Sequence, residues 1–309
     1  MPETRCHVAV WLPRAGLGNK LYLWAKGWVF ARLNQGQFHC FGWTRLKLGP
    51  FLRGEKSSRF YWGQLRQETL RAAVSTGLHW LTSHKVIDPP VERVSLITGK
   101  TTFIFRDIQA HSIPQDSFRS LVDFRDALRE ELLSQLTRRC QHSLDATPAP
   151  LVGIHVRRGD FRHSDWCAPI ESFCARLQAV RKLAGACLAA TIYSDGTQEE
   201  VQRLLSMERV TLAPSNPDIV DLLLFSRSRI MITSRASTFS NMAAFLSDGV
   251  VLRDPLFCHQ PSRPAAVNAL WYEGSVSDTP GTWPELAKHN IRQIGRNSIP
   301  ESVAVTVTR

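Results

Sequence analysis

The most constraining feature of the sequence is the regular alternation of apolar strands and helical segments in its second half. Continuous apolar runs at Leu151–Val156, Leu188–Tyr193 and Ile230–Thr233 have the length and character of buried strands. Helical spacing of apolar residues follows, as at Glu171–Leu183 and Ser237–Leu246. This alternation predicts a doubly wound parallel sheet with right-handed crossovers. Further strands are predicted at Val210–Leu212 and Val250–Leu252, and further helices at Thr197–Leu205 and Asp218–Ser226.

The first half begins with the same kind of unit. Val8–Leu12 is a predicted strand, Pro13–Lys20 a loop, and Leu21–Leu33 a helix. Short strands are expected at Val94–Ile97 and Thr101–Phe105, whereas residues 36–66 show no clear periodicity. A strand, a glycine loop and a helix at the start of the chain are typical of an α/β domain.

A domain boundary is predicted near residue 147. One long amphipathic helix is expected over residues 118–139, and two prolines within Asp145–Pro150 prevent its continuation. We therefore predict two domains, residues 1–147 and residues 148–309. The tail from Gly274 is rich in Pro, Ser and Thr, with one helix-like segment at Trp283–Asn290.

The sharpest motif is the run Gly153–Asp160, which reads GIHVRRGD at the carboxyl end of a predicted strand. In open α/β sheets, ligands bind outside the carboxyl ends of the strands. Arg157 and Arg158 are permanently charged and suited to bidentate contacts, so they indicate a diphosphate site. Asp160 either orients one of these arginines or binds a hydroxyl group. The alternative is a surface turn with an arginine–aspartate ion pair.

Two other strand ends carry polar groups. Ser237 and Thr238 lie where a strand passes into a helix, and the free N–H groups of a helix start bind anions. Asp195 follows another strand, where an acidic residue accepts hydrogen bonds from a ribose or a base. Taken singly, each is also explained by ordinary helix capping or by a turn.

The loop GLGN at Gly16–Asn19 is a candidate binding loop in the first domain. Glycines allow the backbone to approach a ligand closely, and the amide of Asn19 both donates and accepts. The loop is not a GxGxxG motif and lacks the GK[ST] ending of a Walker loop, which argues against an ATPase. A glycine turn before a helix is the alternative.

The charge balance suggests an anionic partner. The 309 residues include 38 Lys and Arg against 27 Asp and Glu, a net charge of +11, and residues 1–60 hold ten basic and two acidic residues. Five tryptophans lie in nearly the same stretch: Trp11, Trp24, Trp28, Trp43 and Trp62. This pattern fits a surface for nucleic acid, sugar or membrane, or a basic face over a Trp-rich core. A nucleic-acid-binding protein stays as the alternative of a different class, although none of its usual motifs is present.

Cysteines and hydropathy bear on the compartment. The seven cysteines are irregularly spaced without a CxxC pair, which favours reduced thiols and no zinc site. No apolar run reaches the ~18 residues of a membrane span, and the apolar run at Val8–Leu12 is too short for a signal sequence. We expect a cytoplasmic protein whose basic surface is compatible with peripheral attachment to the inner face of the membrane.

Four motifs occur in a fixed order: GLGN at Gly16–Asn19, HVRRGD at His155–Asp160, YSD at Tyr193–Asp195 and STFS at Ser237–Ser240. This order resembles the bacterial α-1,2-fucosyltransferases of glycosyltransferase family 11 and, more distantly, the α-1,6- and protein O-fucosyltransferases. The resemblance implies a GT-B architecture, in which two Rossmann-like domains face each other across a cleft. It also implies inverting, metal-independent transfer of L-fucose from GDP-fucose to a glycan, with no cofactor.

The resemblance also implies roles for the matching residues of the second domain. Arg157 is expected to bind the β-phosphate, and His155 is expected to lie near the nucleotide. Arg158 and Asp160 are expected to shape the pocket, and Asp195 to contact the guanine or the ribose.

The two helix starts have implied roles as well. The one in the second domain is expected to hold the phosphates and the base through Ser237, Thr238, Phe239 and Ser240. In the first domain Asn19, flanked by Gly16 and Gly18, is expected to reach the sugar-phosphate. Arg157 and Asn19 are the catalytic candidates, and Lys20 is a further candidate partner for phosphate.

The chain departs from the family pattern next to these motifs. Lys20 follows GLGN where Gln is common, Gly196 follows Asp195 where a second Asp is common, and Asn241 and Met242 replace two tryptophans. Two alternatives on the same scaffold stay open: transfer of another sugar from a GDP donor, and an inactive homologue that binds GDP. The sequence assigns no general base, acceptor or oligomeric state.

Overall fold

In the computed structural model, the chain is described over residues 6–44, 61–66, 76–77, 79–95, 99–111, 118–162, 164–256, 261–262 and 271–298. These residues form two compact units that divide between His142 and Ser143, ahead of the predicted boundary at 147/148. Each unit is α/β, and the strands of its sheet all run parallel. The predicted pair of α/β units is therefore confirmed, while their arrangement across a cleft stays a prediction.

The first unit has a four-stranded sheet in the order β2-β1-β4-β3. Its strands are β1 (Cys6–Trp11), β2 (Gln37–Phe41), β3 (His84–Ile87) and β4 (Thr101–Phe105). The sequence predicted β1 and β4 but not β3, which is an edge strand with mostly exposed side chains and therefore lacks an apolar run. The strand expected at Val94–Ile97 is wrong for Val94 and Ser95, which are irregular, and residues 96–97 lie outside the described residues.

The first helix, α1 (Leu17–Leu33), begins earlier than expected. Leu17, Gly18, Asn19 and Lys20 therefore form its first turn rather than part of the predicted loop. Most of α1 is buried, including Trp24 and Trp28 at 2% and 5% exposure. The tryptophans of this helix are core residues, as the Trp-rich core interpretation proposed.

The long helix expected over residues 118–139 is interrupted. A short helix, α2 (Ile108–His111), precedes this region. The expected helix is replaced by a 3-10 helix at Arg119–Phe124 and two α-helices, α3 (Arg125–Ser134) and α4 (Arg138–Ala146). The break occurs where Leu136 forms a bridge with Leu65 and Thr137 Oγ1 donates to the carbonyl of Gly63 at 2.6 Å. A segment distant in sequence therefore takes over the backbone pairing that a continuous helix would need.

The second unit has a six-stranded sheet in the order β10-β9-β8-β5-β6-β7. Its strands are β5 (Val152–Val156), β6 (Ala190–Ser194), β7 (Val210–Leu212), β8 (Ile230–Ile232), β9 (Val250–Arg253) and β10 (Tyr272–Ser275). Numbered within the unit, this is the strand order 3-2-1-4-5-6 of a Rossmann fold. The order reverses between β5 and β8, so the switch point lies between these two strands.

Helices cover both faces of this sheet. They are α5 (Ile170–Ala184), α6 (Gln202–Leu205), α7 (Asp218–Ser226), α8 (Thr238–Leu246) and α9 (Glu285–Ser298). On one face α5 packs against α9, so closely that a Cβ at Gly295 would lie 2.2 Å from the carbonyl oxygen of Ala184. On the other face α7 packs against α8. The sequence missed β10 and the second half of α9, both in the tail where turn-forming residues obscured the pattern.

Two features that bear on the compartment are visible in the described residues. No helix there is both long enough and apolar enough to cross a lipid bilayer. The described cysteines are free thiols: Cys6, Cys40, Cys140, Cys167, Cys174 and Cys187. The seventh, Cys258, lies outside the described residues.

Candidate functional site

The carboxyl ends of β5 and β8 lie side by side, because Val152 pairs with Ile230 and Ile154 with Ile232. We call the space outside these two strand ends the switch-point crevice. Ser234 links the loops that border it, since its Oγ accepts from the backbone N–H of Arg157 at 2.8 Å. The same hydroxyl donates to the carbonyl of the strand residue His155 at 2.7 Å.

Arg157 lies at this junction and pairs with two carboxylates. Its Nη1 is 2.6 Å from Asp195 Oδ2, and its Nη2 donates to Asp160 Oδ1. The guanidinium also lies over the ring of Phe161, with 5.3 Å between its Cζ and the ring centroid. Asp160 thus forms the ion pair expected from the surface-turn alternative, and it does so with the arginine expected to bind phosphate.

Asp195 holds the loop after β5 at two points. Besides its contact with Arg157, its Oδ1 accepts from the backbone N–H of Arg158 at 2.7 Å. Both carboxylate oxygens therefore have partners within the protein. Contact of Asp195 with a ribose or a base stays a prediction.

Arg158 is a buried residue whose guanidinium supports a neighbouring loop. Its Nη1 donates to the carbonyl of Ala168 at 2.7 Å and lies 2.8 Å from Cys167 Sγ. Gly196 packs against this side chain, since a Cβ there would lie 2.7 Å from Arg158 Cγ. Arg158 thus supports the loop at Cys167 and Ala168, and its expected role in shaping the pocket stays a prediction. The guanidinium is not paired with that of Arg157 as the diphosphate interpretation assumed.

His155 is buried and holds the start of α8. Its Nδ1 is 2.8 Å from Ser240 Oγ, and its ring stacks on Phe239 with 4.8 Å between centroids. Burial, followed by the nearby charge of Arg157, lowers the pKa of His155 to about 3. The imidazole is therefore neutral near pH 7, so it positions the helix and adds no positive charge.

The helix start itself divides into inner and outer residues. Ser237 is the N-cap of α8, and its Oγ accepts from the backbone N–H of Ser240 at 3.4 Å. Ser237 and Ser240 are buried, whereas Thr238 and Phe239 are half-buried. Ala236, just before the cap, has a left-handed φ of 43°, which L-residues rarely adopt. The cap thus takes up the N–H of Ser240, and the N–H groups of Thr238 and Phe239, which have no partners among the described residues, remain the candidate anion donors.

The sequence analysis missed a buried charge cluster beside this helix start. Arg235 Nε lies 2.7 Å from Asp254 Oδ1, and Arg176 Nη2 lies 3.5 Å from Asp254 Oδ2. The side chains of Arg176 and Asp254 are fully buried. The positions of Arg235 and Asp254 after consecutive strands were a usable signal, but Arg176 in the middle of α5 gave none.

The candidate residues of the first unit lie at the start of α1. Gly16 is the N-cap, Gly18 is buried, and Asn19 is half-buried. Lys20 is buried as well, and its Nζ donates to the carbonyls of Gly42 at 2.7 Å and Trp43 at 3.1 Å. The suggestion that Lys20 pairs with phosphate is therefore corrected: its ammonium group anchors the loop after β2.

A family model matches the part of the chain that contains the candidate site. The model described as glycosyl transferase family 11 matches residues 111–255, just under half of the chain. This range contains the HVRRGD motif, Asp195 and the start of α8. The match supports a glycosyltransferase, and residues 111–255 are similar to glycosyl transferase family 11, in agreement with the motif resemblance.

Several solved structures are similar in fold. NodZ α-1,6-fucosyltransferase, also solved from Bradyrhizobium, is 14% identical, with a TM-score of 0.47 over 82% of this chain and 96% of its own. A FUT1 variant from Arabidopsis thaliana with GDP is 14% identical, with a TM-score of 0.44 over 82% and 71%. The E. coli heptosyltransferase WaaC is 11% identical, with a TM-score of 0.43 over 95% and 100%. No curated protein sequence matches significantly.

Proposed function

We propose that the protein transfers L-fucose from GDP-fucose to a hydroxyl group of a glycan acceptor, with inversion, in an α-1,2 linkage and without a metal ion. The observation that carries the proposal is the placement of Arg157 beside the start of α8 at the switch point of a Rossmann sheet. A permanent cation and free helix N–H groups at this position are suited to a nucleoside diphosphate. The family match supports fucose as the sugar.

Binding of the diphosphate requires an exchange of partners at Arg157. The Asp160 side chain is 37% exposed, whereas that of Asp195 is 12% exposed and is also held by the N–H of Arg158. Asp160 is therefore the carboxylate that the donor phosphate displaces from Arg157. Asp195 stays paired with the Arg157 guanidinium and keeps it in position. In this mechanism Asp160 is a counter-ion in the empty enzyme and Asp195 is a positioning residue.

The chemistry needs stabilisation of the leaving group. When an acceptor oxygen bonds to the anomeric carbon, the sugar–oxygen bond to the β-phosphate breaks and its electron pair stays on GDP. Arg157 and the N–H groups at the start of α8 stabilise the added negative charge, the role of preorganised donors in a transition state. The acceptor proton passes to a base that the geometry does not assign.

The test combines a ligand panel with one variant. Wild-type protein is screened by thermal shift and calorimetry against GDP, GDP-fucose, GDP-mannose and UDP-sugars, and then for GDP release with glycan acceptors in the presence of EDTA. We expect stabilisation by GDP and GDP-fucose and release of GDP from GDP-fucose. Arg157→Ala should lower transfer by ~10²-fold or more, the usual cost of losing one such donor.

The control is Arg203→Gln, which removes an exposed cation paired with Glu171 on the same unit. This variant should match wild type in binding and in transfer. A thermal shift with UDP and none with GDP would overturn the donor assignment. GDP binding without transfer to any acceptor would support the inactive-homologue alternative. If GDP is released from GDP-mannose and not from GDP-fucose, the donor sugar is mannose and the proposed fucose transfer is wrong.

A further inference from the structure

The second cation of the predicted diphosphate site needs a new assignment, because the Arg158 guanidinium is bound to the loop at Cys167 and Ala168. Arg157 alone faces two carboxylates, Asp160 and Asp195. The β5 side of the switch-point crevice therefore carries little net positive charge. A pyrophosphate has two charged groups and calls for cationic donors on both sides.

Arg235 lies on the opposite border of the same crevice. It directly follows Ser234, whose hydroxyl is bonded to the backbone of Arg157, so the two arginines flank one hydrogen-bonded junction. It precedes Ser237, the cap of α8, by two residues. Its side chain is 16% exposed, unlike the fully buried Arg176 behind it.

Two contacts hold the Arg235 guanidinium in place. Its Nε donates to Asp254 Oδ1 at 2.7 Å, and its Nη1 donates to the carbonyl of Asp165 at 3.2 Å. Among the described residues, Nη2 has no hydrogen-bond partner and is left for a ligand. The side chain is thus held at two of its nitrogens and available at the third, which is the arrangement of a preorganised anion donor.

A buried charge cluster lies behind Arg235. Asp254 is shared between the guanidinium groups of Arg235 and Arg176, so one buried carboxylate serves two cations. The other carboxylate near Arg176 is Asp278, 3.9 Å from its Nε and half-exposed. The two guanidinium groups and the two carboxylates balance in charge, so the case for an anion rests on the available Nη2 of Arg235.

We propose that Arg235 is the second cationic binding residue for the donor pyrophosphate and that the buried pair Asp254 and Arg176 positions it. The inference rests on the proposed function and extends it. Arg157 and Arg235 then bind the two phosphate groups from opposite sides of the switch point. Arg158, which the sequence suggested for this role, supports the loop instead.

The experiment compares three ligands that differ only in phosphate: GDP, GMP and guanosine. Calorimetry is run on wild type, Arg235→Gln, Arg235→Lys and the exposed control Arg203→Gln. Loss of one charge-assisted hydrogen bond should weaken GDP binding by about tenfold or more. GMP binding should weaken less, and guanosine binding should be unchanged.

Arg235→Lys separates binding from folding. The lysine ammonium can still pair with Asp254, but it lacks the planar set of N–H groups with which a guanidinium binds a second partner. We expect a melting temperature close to that of wild type together with weakened GDP binding. Asp254→Asn should also weaken the binding of GDP most, of GMP less and of guanosine not at all. This substitution leaves Arg235 present but removes the carboxylate that positions it.

The outcomes separate this inference from the proposed function. If wild type binds GDP, Arg157→Ala does not, and Arg235→Gln binds GDP as tightly as wild type, the inference fails and the proposed function stands. If the Arg235 variants weaken all three ligands equally, the role is structural and the inference fails. If wild type binds no guanine nucleotide, both fail.

Discussion

At the scale of single residues, burial decides which charged groups are available for chemistry. His155 lies in a predicted strand just before two arginines, and the motif resemblance implies a position near the nucleotide. In the structure it is enclosed by Phe225, Phe239 and Ser240, and its pKa falls to about 3 because the charged form loses solvation. A histidine in the middle of a ligand-binding motif is therefore a structural group that stays neutral.

This burial has a consequence for acid stability. The ordinary pKa of 6.5 applies to the unfolded chain, so below pH 6.5 the unfolded state takes up a proton that folded His155 does not bind until about pH 3. The free energy of unfolding falls on acidification between these values by up to about 1.4 kcal/mol per pH unit for this one group. In His155→Asn the fall should be shallower by that amount, as measured by urea unfolding at several pH values.

The matched control for this prediction is His289→Asn. His289 is exposed on α9 and hydrogen-bonded to Gln293, so this variant removes a histidine outside the core and controls for the substitution itself. Identical slopes for His155→Asn and wild type would show that the imidazole titrates freely in the folded protein.

At the scale of elements, one glycine sets how closely a helix approaches the central strand. Gly153 lies on β5, and a Cβ at this position would lie 2.3 Å from Ser228 Oγ and 2.8 Å from Phe225 Cδ2. Both partners belong to α7 or the turn after it, on the face of β5 opposite Val152 and Ile154. The absence of a side chain lets α7 sit against the strand that carries Arg157.

Gly153→Ala should therefore be destabilising, because a methyl group forced into a packed interface typically costs about 1–3 kcal/mol. The measurement is urea unfolding monitored by circular dichroism. Gly281→Ala is the control, since nothing lies within 4 Å of a Cβ at Gly281. Equal stabilities of the two variants would contradict the close approach of α7.

The elements also show why part of the fold was predictable. Strands buried on both faces, such as β5 and β8, carry continuous apolar runs and were located to within a residue. The edge strand β3 carries no such run, and the break at Leu136 depends on a partner at Leu65 that local periodicity does not reveal.

The candidate site was predictable in the same uneven way. Strand ends are visible in sequence, and they drew attention to Arg157, Asp195 and Ser237, which do follow strands in the structure. The direction of a side chain is decided by tertiary partners, so the sequence could not distinguish the paired Arg157 from the buried Arg158. The cluster around Asp254 joins three distant segments, and no local pattern marks it.

At the scale of the whole molecule, the net charge of +11 overstates the basic surface. Of the basic residues within residues 1–60 that the structure describes, Lys20 and Lys26 are buried and Arg14 and Arg32 are exposed. Lys26 donates to Ser120 Oγ at 2.6 Å, so its charge is held inside the first unit. These two lysines stabilise the unit and are not available to phosphates.

We therefore expect no specific nucleic-acid binding. Fluorescence anisotropy with duplex DNA and single-stranded RNA at physiological salt should show only weak binding, with Kd of ~10⁻⁴ to 10⁻⁶ M, as for nonspecific electrostatic association. The variant in which Arg14 and Arg32 are both replaced by Gln is measured alongside wild type, to show how much of any weak binding depends on these two exposed charges. Nanomolar affinity with a steep salt dependence would favour the nucleic-acid-binding alternative over the transferase.

The strand order of the second unit also bears on how the chain folds. Every pairing in its sheet is parallel, and β5 meets β8 only through pairs such as Val152 with Ile230. Contacts between residues so far apart in sequence form slowly, because a long loop must close before they contribute stability. A growing chain cannot assemble the switch-point crevice until β8 has been synthesised and has docked against β5. Nucleotide binding should therefore return late during refolding, which makes it a sensitive probe of the last stage of assembly.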